Sequence, residues 1–245
     1  MRYVVVALLL LSTLCGFQAL ATAQSTIPLI SVGVRGGLSS YVMSDVNVAI
    51  NSVNDVLLAE RFDELNEFGS GPMGGGEIRI RVRPDIALSV TAEYLYESSK
   101  VGLEIVGQQF RELEIRASTV PITARVLYVA SNAKNPKIVY TLGGGISYLW
   151  LGRLKTQSSP TIEVYFPSSY LRTADGSGVG FEAAGGAEYF VRSRLSVGAE
   201  LLYRYAKISE LTYNDTGGPV LNESLKEINL DFSGISFNAC IRFHL

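Results

Sequence analysis

The chain has 245 residues, with 21 basic and 23 acidic side chains, one histidine, two cysteines and 24 glycines. A net charge of −2 lacks the basic excess of a nucleic-acid binder. After the first residues, no segment approaches the ~20 consecutive apolar residues of a membrane helix, yet mean hydropathy is positive at +0.23.

The N-terminus reads as a secretory signal. Arg2 supplies the positive charge, residues 4–11 the apolar core and Ala21-Thr22-Ala23 a small-x-small cleavage site. Residues 1–23 are therefore expected to be removed, leaving 24–245 as one domain with a charge of about −3. Leu14, not a small residue, precedes Cys15, which argues against lipidation. After cleavage only Cys240 remains, so no internal disulfide is expected.

Alternation then predicts strands. The first covers residues 30–40, with Ile30, Val32, Val34 and Leu38 on one face and Ser31, Arg35 and Ser39 on the other. A helix follows, capped by Ser44 or Asp45 and running to about Phe68. Val46, Ile50, Val53, Leu57 and Leu65 recur there at three- and four-residue spacing. A second strand spans about 75–83, with Ile78, Ile80 and Val82 opposite Glu77, Arg79 and Arg81. Pro84-Asp85 turns the chain. The third carries Ile86, Leu88, Val90, Ala92, Tyr94 and Tyr96 opposite Ser89, Thr91, Glu93 and Glu97.

The fourth strand centres on Val120, Ile122, Ala124, Val126 and Tyr128, opposite Thr119, Thr123 and Arg125. Upstream, Leu113, Ile115 and Ala117 hold the other parity, which predicts a bulge near 118–121, where Pro121 is tolerable. The fifth holds Ile138, Tyr140, Leu142, Ile146, Tyr148 and Trp150 on one face. The sixth sets Val179, Phe181, Ala183, Ala187 and Tyr189 against Glu182 and Glu188. The seventh sets Leu195, Val197, Ala199, Leu201, Tyr203 and Tyr205 against Glu200 and Arg204. The eighth alternates from Gly234 to the end, with Ile235, Phe237, Ala239, Ile241, Phe243 and Leu245 on one face.

The connections alternate in length. Those near 84–85, 131–136 and 192–193 are short; those over about 41–74, 98–112, 152–178 and 207–228 are long. Tyr94, Tyr96, Tyr148, Trp150, Tyr203 and Tyr205 fall where strands meet long loops. Tyr128, Tyr140, Tyr189 and Phe243 fall where they meet short turns. Two aromatic rings with an apolar band between them are the outer surface of a barrel standing in a bilayer. The predicted fold is all-β: an eight-stranded antiparallel up-and-down transmembrane β-barrel with a helical first external loop.

Eight strands, this loop alternation, the opening Val32-Gly33-Val34-Arg35-Gly36-Gly37-Leu38 and the closing residues 235–245 resemble the small outer-membrane β-barrel family. That family includes the transmembrane domain of outer membrane protein A, outer membrane protein X and the opacity proteins. The resemblance implies residence in a bacterial outer membrane. Outer-membrane lipid, lipopolysaccharide and the barrel-assembly machinery, reading the C-terminal strand, are the expected contacts. It also implies a surface ligand held by the external loops. Leu245 departs from the family's usual terminal aromatic, but it is apolar and in phase, so recognition by that machinery is expected to survive. No peptidoglycan-binding domain follows the barrel, so no cell-wall tether is implied.

The inward face carries Arg35, Arg79, Arg81, Arg125, Arg204 and Arg242 together with Glu77, Glu93, Glu182, Glu188 and Glu200. Buried charges persist only when paired, and eight strands leave an interior just wide enough for side chains to fill. The expected interior is therefore a salt-bridged plug. The alternative is a gated path in which Arg and Glu exchange partners.

Catalysis finds little support. His244, the only histidine, is penultimate, far from the external rim where barrel hydrolases place theirs. No metal-ligand cluster and no cofactor site are expected. The glycine runs 74–76, 143–145 and 176–180 precede no helix and read as strand curvature, not phosphate loops. Asn214-Asp215-Thr216 and Asn222-Glu223-Ser224 match the glycosylation pattern by chance. The loop helix reads as a lid over the mouth in preference to a partner-binding or lipid-surface helix. Tyr165, Phe166, Tyr170 and Tyr213 are further loop candidates for contact. Three functions remain open: a non-enzymatic structural or surface-interaction barrel, a small gated pore, and a soluble lipocalin-like ligand carrier.

Overall fold

A computed structural model describes residues 29–59, 61–103, 111–132, 134–159, 172–221 and 226–245. The signal segment, Tyr165, Phe166, Tyr170 and residues 222–224 lie outside them.

Among the described residues nine strands and one helix are formed: β1 (Ile30–Ser40), α1 (Ser44–Ala59), β2 (Ser70–Arg83), β3 (Ile86–Leu103), β4 (Arg111–Ser131), β5 (Ile138–Ser159), β6 (Thr173–Arg192), β7 (Leu195–Tyr213), β8 (Leu230–Asp231) and β9 (Gly234–His244). Every pairing is antiparallel. Strands β1 to β7 follow in order, β7 pairs with β9, and β9 returns to β1. This closes an eight-stranded barrel with no free edge. The two-residue β8 rides on the upper end of β7 through Lys207 and Ile208.

Strands β3 to β7 run 18, 21, 22, 20 and 19 residues. A tilted bilayer crossing needs about 9–11. Much of what reads in the sequence as long loops, 98–112 and 152–178, is therefore strand. The β3–β4 ladder continues to Leu103–Arg111 and the β4–β5 ladder to Glu112–Ser159. Continuing the ladder satisfies backbone groups that a loop would leave to water.

The hydrophobic face changes sides along these long strands. Between the aromatic rings, Val90, Val126, Ile146, Phe181 and Leu201 point outward and exposed, while Ser89, Thr91, Glu93, Thr123 and Arg125 point inward and buried. Above the upper ring, Leu95, Val101, Leu113, Ile115, Ala117, Ala206 and Ile208 are the buried, inward residues. Outside at that height stand Lys100, Glu112 and Arg116, in a ladder with Glu114: Lys100–Glu112 3.2 Å, Arg116–Glu114 2.5 Å. Lipid outside favours apolar side chains outward; water outside favours them inward. The register need not change for this.

That inversion corrects the expected bulge on β4. Residues 113, 115, 117, 119, 121, 123, 125 and 127 all point inward in unbroken alternation. The extra residue sits on β5 instead. Ser118 pairs with Arg153 and Val120 with Trp150, so Leu151 is looped out, with φ +52°.

The inward apolar residues above the ring receive α1. Val46, Ile50, Val53 and Leu57 are buried in one cluster with Leu95, Leu113, Leu149, Ile208 and Phe232. The helix ends at Ala59, not near Phe68. Arg61 adopts φ +63°, and the Arg61 and Phe62 amides bond back to Leu58 and Leu57. The chain then returns extended along the helix. Asn54 exchanges two hydrogen bonds with the Leu65 backbone (3.0 and 2.8 Å), and Asn47 does the same with Phe68 (2.8 and 2.7 Å). The Asp45 carboxylate accepts hydrogen bonds from the Asn229 amide and side chain.

Candidate functional site

The interior between the rings is filled by two charge layers, each assembled from inward positions on several strands. In the upper layer, Arg35 of β1 meets Glu93 at 2.9 Å and Glu200 at 2.5 Å. Arg125 of β4 meets Glu182 at 2.6 Å and Glu200 at 3.1 Å. Arg204 of β7 meets Glu182 at 2.7 Å and also pairs with Glu93. Three guanidinium groups and three carboxylates thus share a cluster, with Arg125 and Arg204 almost wholly buried. Thr123 donates to Glu182 at 3.3 Å and shares a 2.8 Å hydrogen bond with Ser147.

The lower layer is a ring of four. Arg79 reaches Glu77 at 3.1 Å and Glu188 at 3.3 Å; Arg242 reaches Glu77 at 2.7 Å and Glu188 at 3.0 Å. Five guanidinium groups face five carboxylates across the two layers, which balances charge where water is scarce. Arg81 lines the same small cavity as Arg79 and Glu188 of the lower layer. It is buried at the short-turn end and donates to the Pro84 carbonyl.

Sequence reading left His244 and Ser196 out of this network. His244 Nε2 lies 2.7 Å from Ser196 Oγ and 3.1 Å from Glu188 Oε1, and Ser196 donates to Glu188. The Phe190 ring lies 4.7 Å from the imidazole, centroid to centroid. The missed signal was parity: His244 shares the inward face of β9 with Arg242, and Ser196 is the residue paired to Arg242. Beside them a cavity of about 20 Å³ is lined by Arg79, Arg81, Glu188, Phe190 and His244. That is room for about one water. Below, Ala87, Leu127, Val129 and Val139 form a small apolar floor. Above, the α1 cluster forms the ceiling.

On the outer surface, Tyr94, Tyr148, Trp150, Tyr203 and Tyr205 stand exposed toward the long-loop end. Tyr140, Tyr189 and Phe243 stand exposed toward the short turns. Tyr96 and Tyr128 are half-buried, and Tyr96 stacks on Tyr94 with ring centroids 6.2 Å apart. Val197 pairs with Ile241 and lies opposite Tyr189, close to the short turns. Leu201 is the outward residue nearer mid-height. Among the described residues no group of three potential metal ligands occurs.

Among solved structures, Neisserial surface protein A is 13% identical, with 88% of this chain and 97% of that chain covered and a TM-score of 0.44. Outer membrane protein OprG from Pseudomonas aeruginosa is 11% identical, covering 91% and 99%, with a TM-score of 0.48. Outer membrane protein W of E. coli is 12% identical, covering 91% and 100%, with a TM-score of 0.41. No curated protein matches the chain. Residues 7–243 match the family described as the outer membrane protein beta-barrel domain, and the chain belongs to that family of bacterial outer-membrane barrels.

Proposed function

We propose that the chain is a non-enzymatic barrel whose lumen is plugged, and that it works as a rigid platform presenting its external end. The observation that carries this reading is the filled axis. A floor, two charge-balanced layers and a helix-capped apolar ceiling follow one another along the lumen. An ion crossing here would have to separate paired charges at two levels and then pass an apolar cluster, each step costing several kcal/mol.

The Ser196–His244–Glu188 contact does not favour hydrolysis. In acyl-transfer catalysis one imidazole nitrogen takes the serine proton while the carboxylate holds the other. Here the serine and the carboxylate both meet Nε2. All three groups are also buried at the level of the lower charge layer, away from the external rim.

Planar-bilayer recording tests the plug. The folded protein is expected to give no sustained openings. Stable, large single-channel steps would overturn the reading in favour of a gated pore. Cutting out residues 45–68 separates lid from plug. If the charge layers seal the barrel alone, the deletion stays silent; if conductance appears only then, α1 is the seal.

A further inference from the structure

Outside the barrel, just above the upper aromatic ring, the two strands that flank β6 are irregular at one height. Strand β5 carries its extra residue at Leu151. Strand β7 carries another at Glu210, because Ser177 pairs with Ser209 and Asp175 with Thr212. Both residues are in the left-handed region, at φ +52° and +63°. Of the four non-glycine residues in that region among those described, these are the two within strands. Strain of this kind persists only where surrounding structure enforces it, and bulges re-aim side chains. The enforcement is visible inside. A Cβ on Gly152 would lie 2.2 Å from Ile208 Cδ1, so the bulged backbone seats directly on the apolar ceiling.

Between the two bulges lies a groove of about 350 Å³. Its size falls in the range of small-ligand sites. Trp150 and Leu151 form one wall, both about half exposed. Asp175, Ser177, Ser209, Glu210 and Thr212 supply the polar rim. Asp175 is held in place by Arg153, at 2.7 and 3.1 Å, and by Asn214 at 3.0 Å, so its oxygens are oriented before any ligand arrives. The hydroxyls of Ser177 and Ser209 flank the same rung of the β6–β7 ladder and point outward.

We propose that this groove binds a saccharide. A flat aromatic face accepts the C–H face of a sugar ring, carboxylates accept from its hydroxyls, and serine and threonine both donate and accept. The groove opens sideways at the level of the headgroups, directly above the outward Tyr148, Val179 and Tyr205. Two sources of the sugar meet that geometry: the carbohydrate of a glycolipid in the same leaflet, or a free surface polysaccharide. The site makes no use of the lumen, so it stands whether or not the barrel conducts.

The chain holds one tryptophan, Trp150, which lines the groove, so its fluorescence reports on a ligand seated there, with the Ser177→Ala/Ser209→Ala variant in the same lipids as the reference for any direct effect of the bilayer. The folded protein in phosphatidylethanolamine–phosphatidylglycerol vesicles is titrated with delipidated lipopolysaccharide core oligosaccharide. In parallel it is reconstituted in the same lipids with intact lipopolysaccharide. A saturable emission change is expected. With both probes it supports saccharide recognition from either source; with intact lipopolysaccharide alone, it supports a membrane-anchored ligand. The double variant Ser177→Ala/Ser209→Ala keeps the reporter and is expected to weaken binding about tenfold, with Asp175→Asn a second check. Three results would overturn the proposal: no change with either probe in protein that retains its folded gel mobility, equal binding by both variants, or a larger response to tetramethylammonium, which would make the groove a cation site.

Discussion

Replacing Glu182 by Gln tests the interior most directly. Glu182 Oε2 receives Arg125 Nε at 2.9 Å and Nη2 at 2.6 Å, and Oε1 receives Arg204 Nε at 2.8 Å and Nη2 at 2.7 Å. The amide keeps the volume but removes the charge and turns one acceptor into a donor aimed at a guanidinium group. Three arginines of the upper layer then face two carboxylates. Removing one partner of a buried ion pair costs about 3–5 kcal/mol, roughly two to four powers of ten in the folding equilibrium. The control is Arg153→Gln, which breaks the partly exposed Arg153–Asp175 pair on the outer surface. Such pairs contribute about 0–1 kcal/mol. Both variants are folded into phospholipid vesicles and titrated with urea, with the folded fraction read from heat-modifiable gel mobility. The expected outcome is a large loss for Glu182→Gln and little for the control. If the two variants match, the arginines are solvated by lumen water, and the filled-axis argument fails.

Three further outcomes follow from the same geometry. Leu201→Arg, on the outer face near mid-height, is expected to cost about 2–4 kcal/mol in vesicles; a cost near zero would mean this face does not meet lipid. Ile50→Asp, buried in the ceiling cluster, is expected to expose residues 45–68 to protease and hydrogen exchange while the barrel keeps its folded mobility. Loss of the whole barrel instead would show that the ceiling is part of the folding unit. Gly37→Val is expected to block assembly at the β1–β9 seam, because a Cβ there would meet the Phe237 carbonyl oxygen at 1.9 Å. Normal folding yield would show that the seam relaxes freely.

Much of this barrel is legible in the order of its residues. A period of two needs no tertiary information, because successive side chains of any extended strand point to opposite faces. That is why the strand starts at Ile30 and Ile86, the turn at Pro84-Asp85 and the inward set from Arg35 to Arg242 can be read directly, whereas the turn expected at Arg192-Ser193 falls one residue later, at Ser193-Arg194, because Arg192 still pairs with Leu195. The stripe from Val46 to Leu57 likewise announces a helix with one buried face. What alternation cannot tell is which solvent lies outside a strand at a given height. Leu113, Ile115 and Ala117 therefore look like a slipped register, when they are the same inward face passing from lipid-bathed to water-bathed wall. The end of α1 was hidden for a related reason: Asn47 and Asn54 hold a returning segment that local periodicity cannot see. Partner choice in the lumen depends on the stagger between strands distant in sequence. Arg35 and Glu200 are 165 residues apart, as are Glu77 and Arg242, and only closure of the barrel sets them at one height. The same closure drew His244 and Ser196 into the lower layer and lined up the bulges at Leu151 and Glu210. The sequence by itself determined the faces, the strand order and the sorting of the loops. The tertiary structure alone decided what stands level with what, because stagger and tilt are properties of the closed sheet and of no single strand.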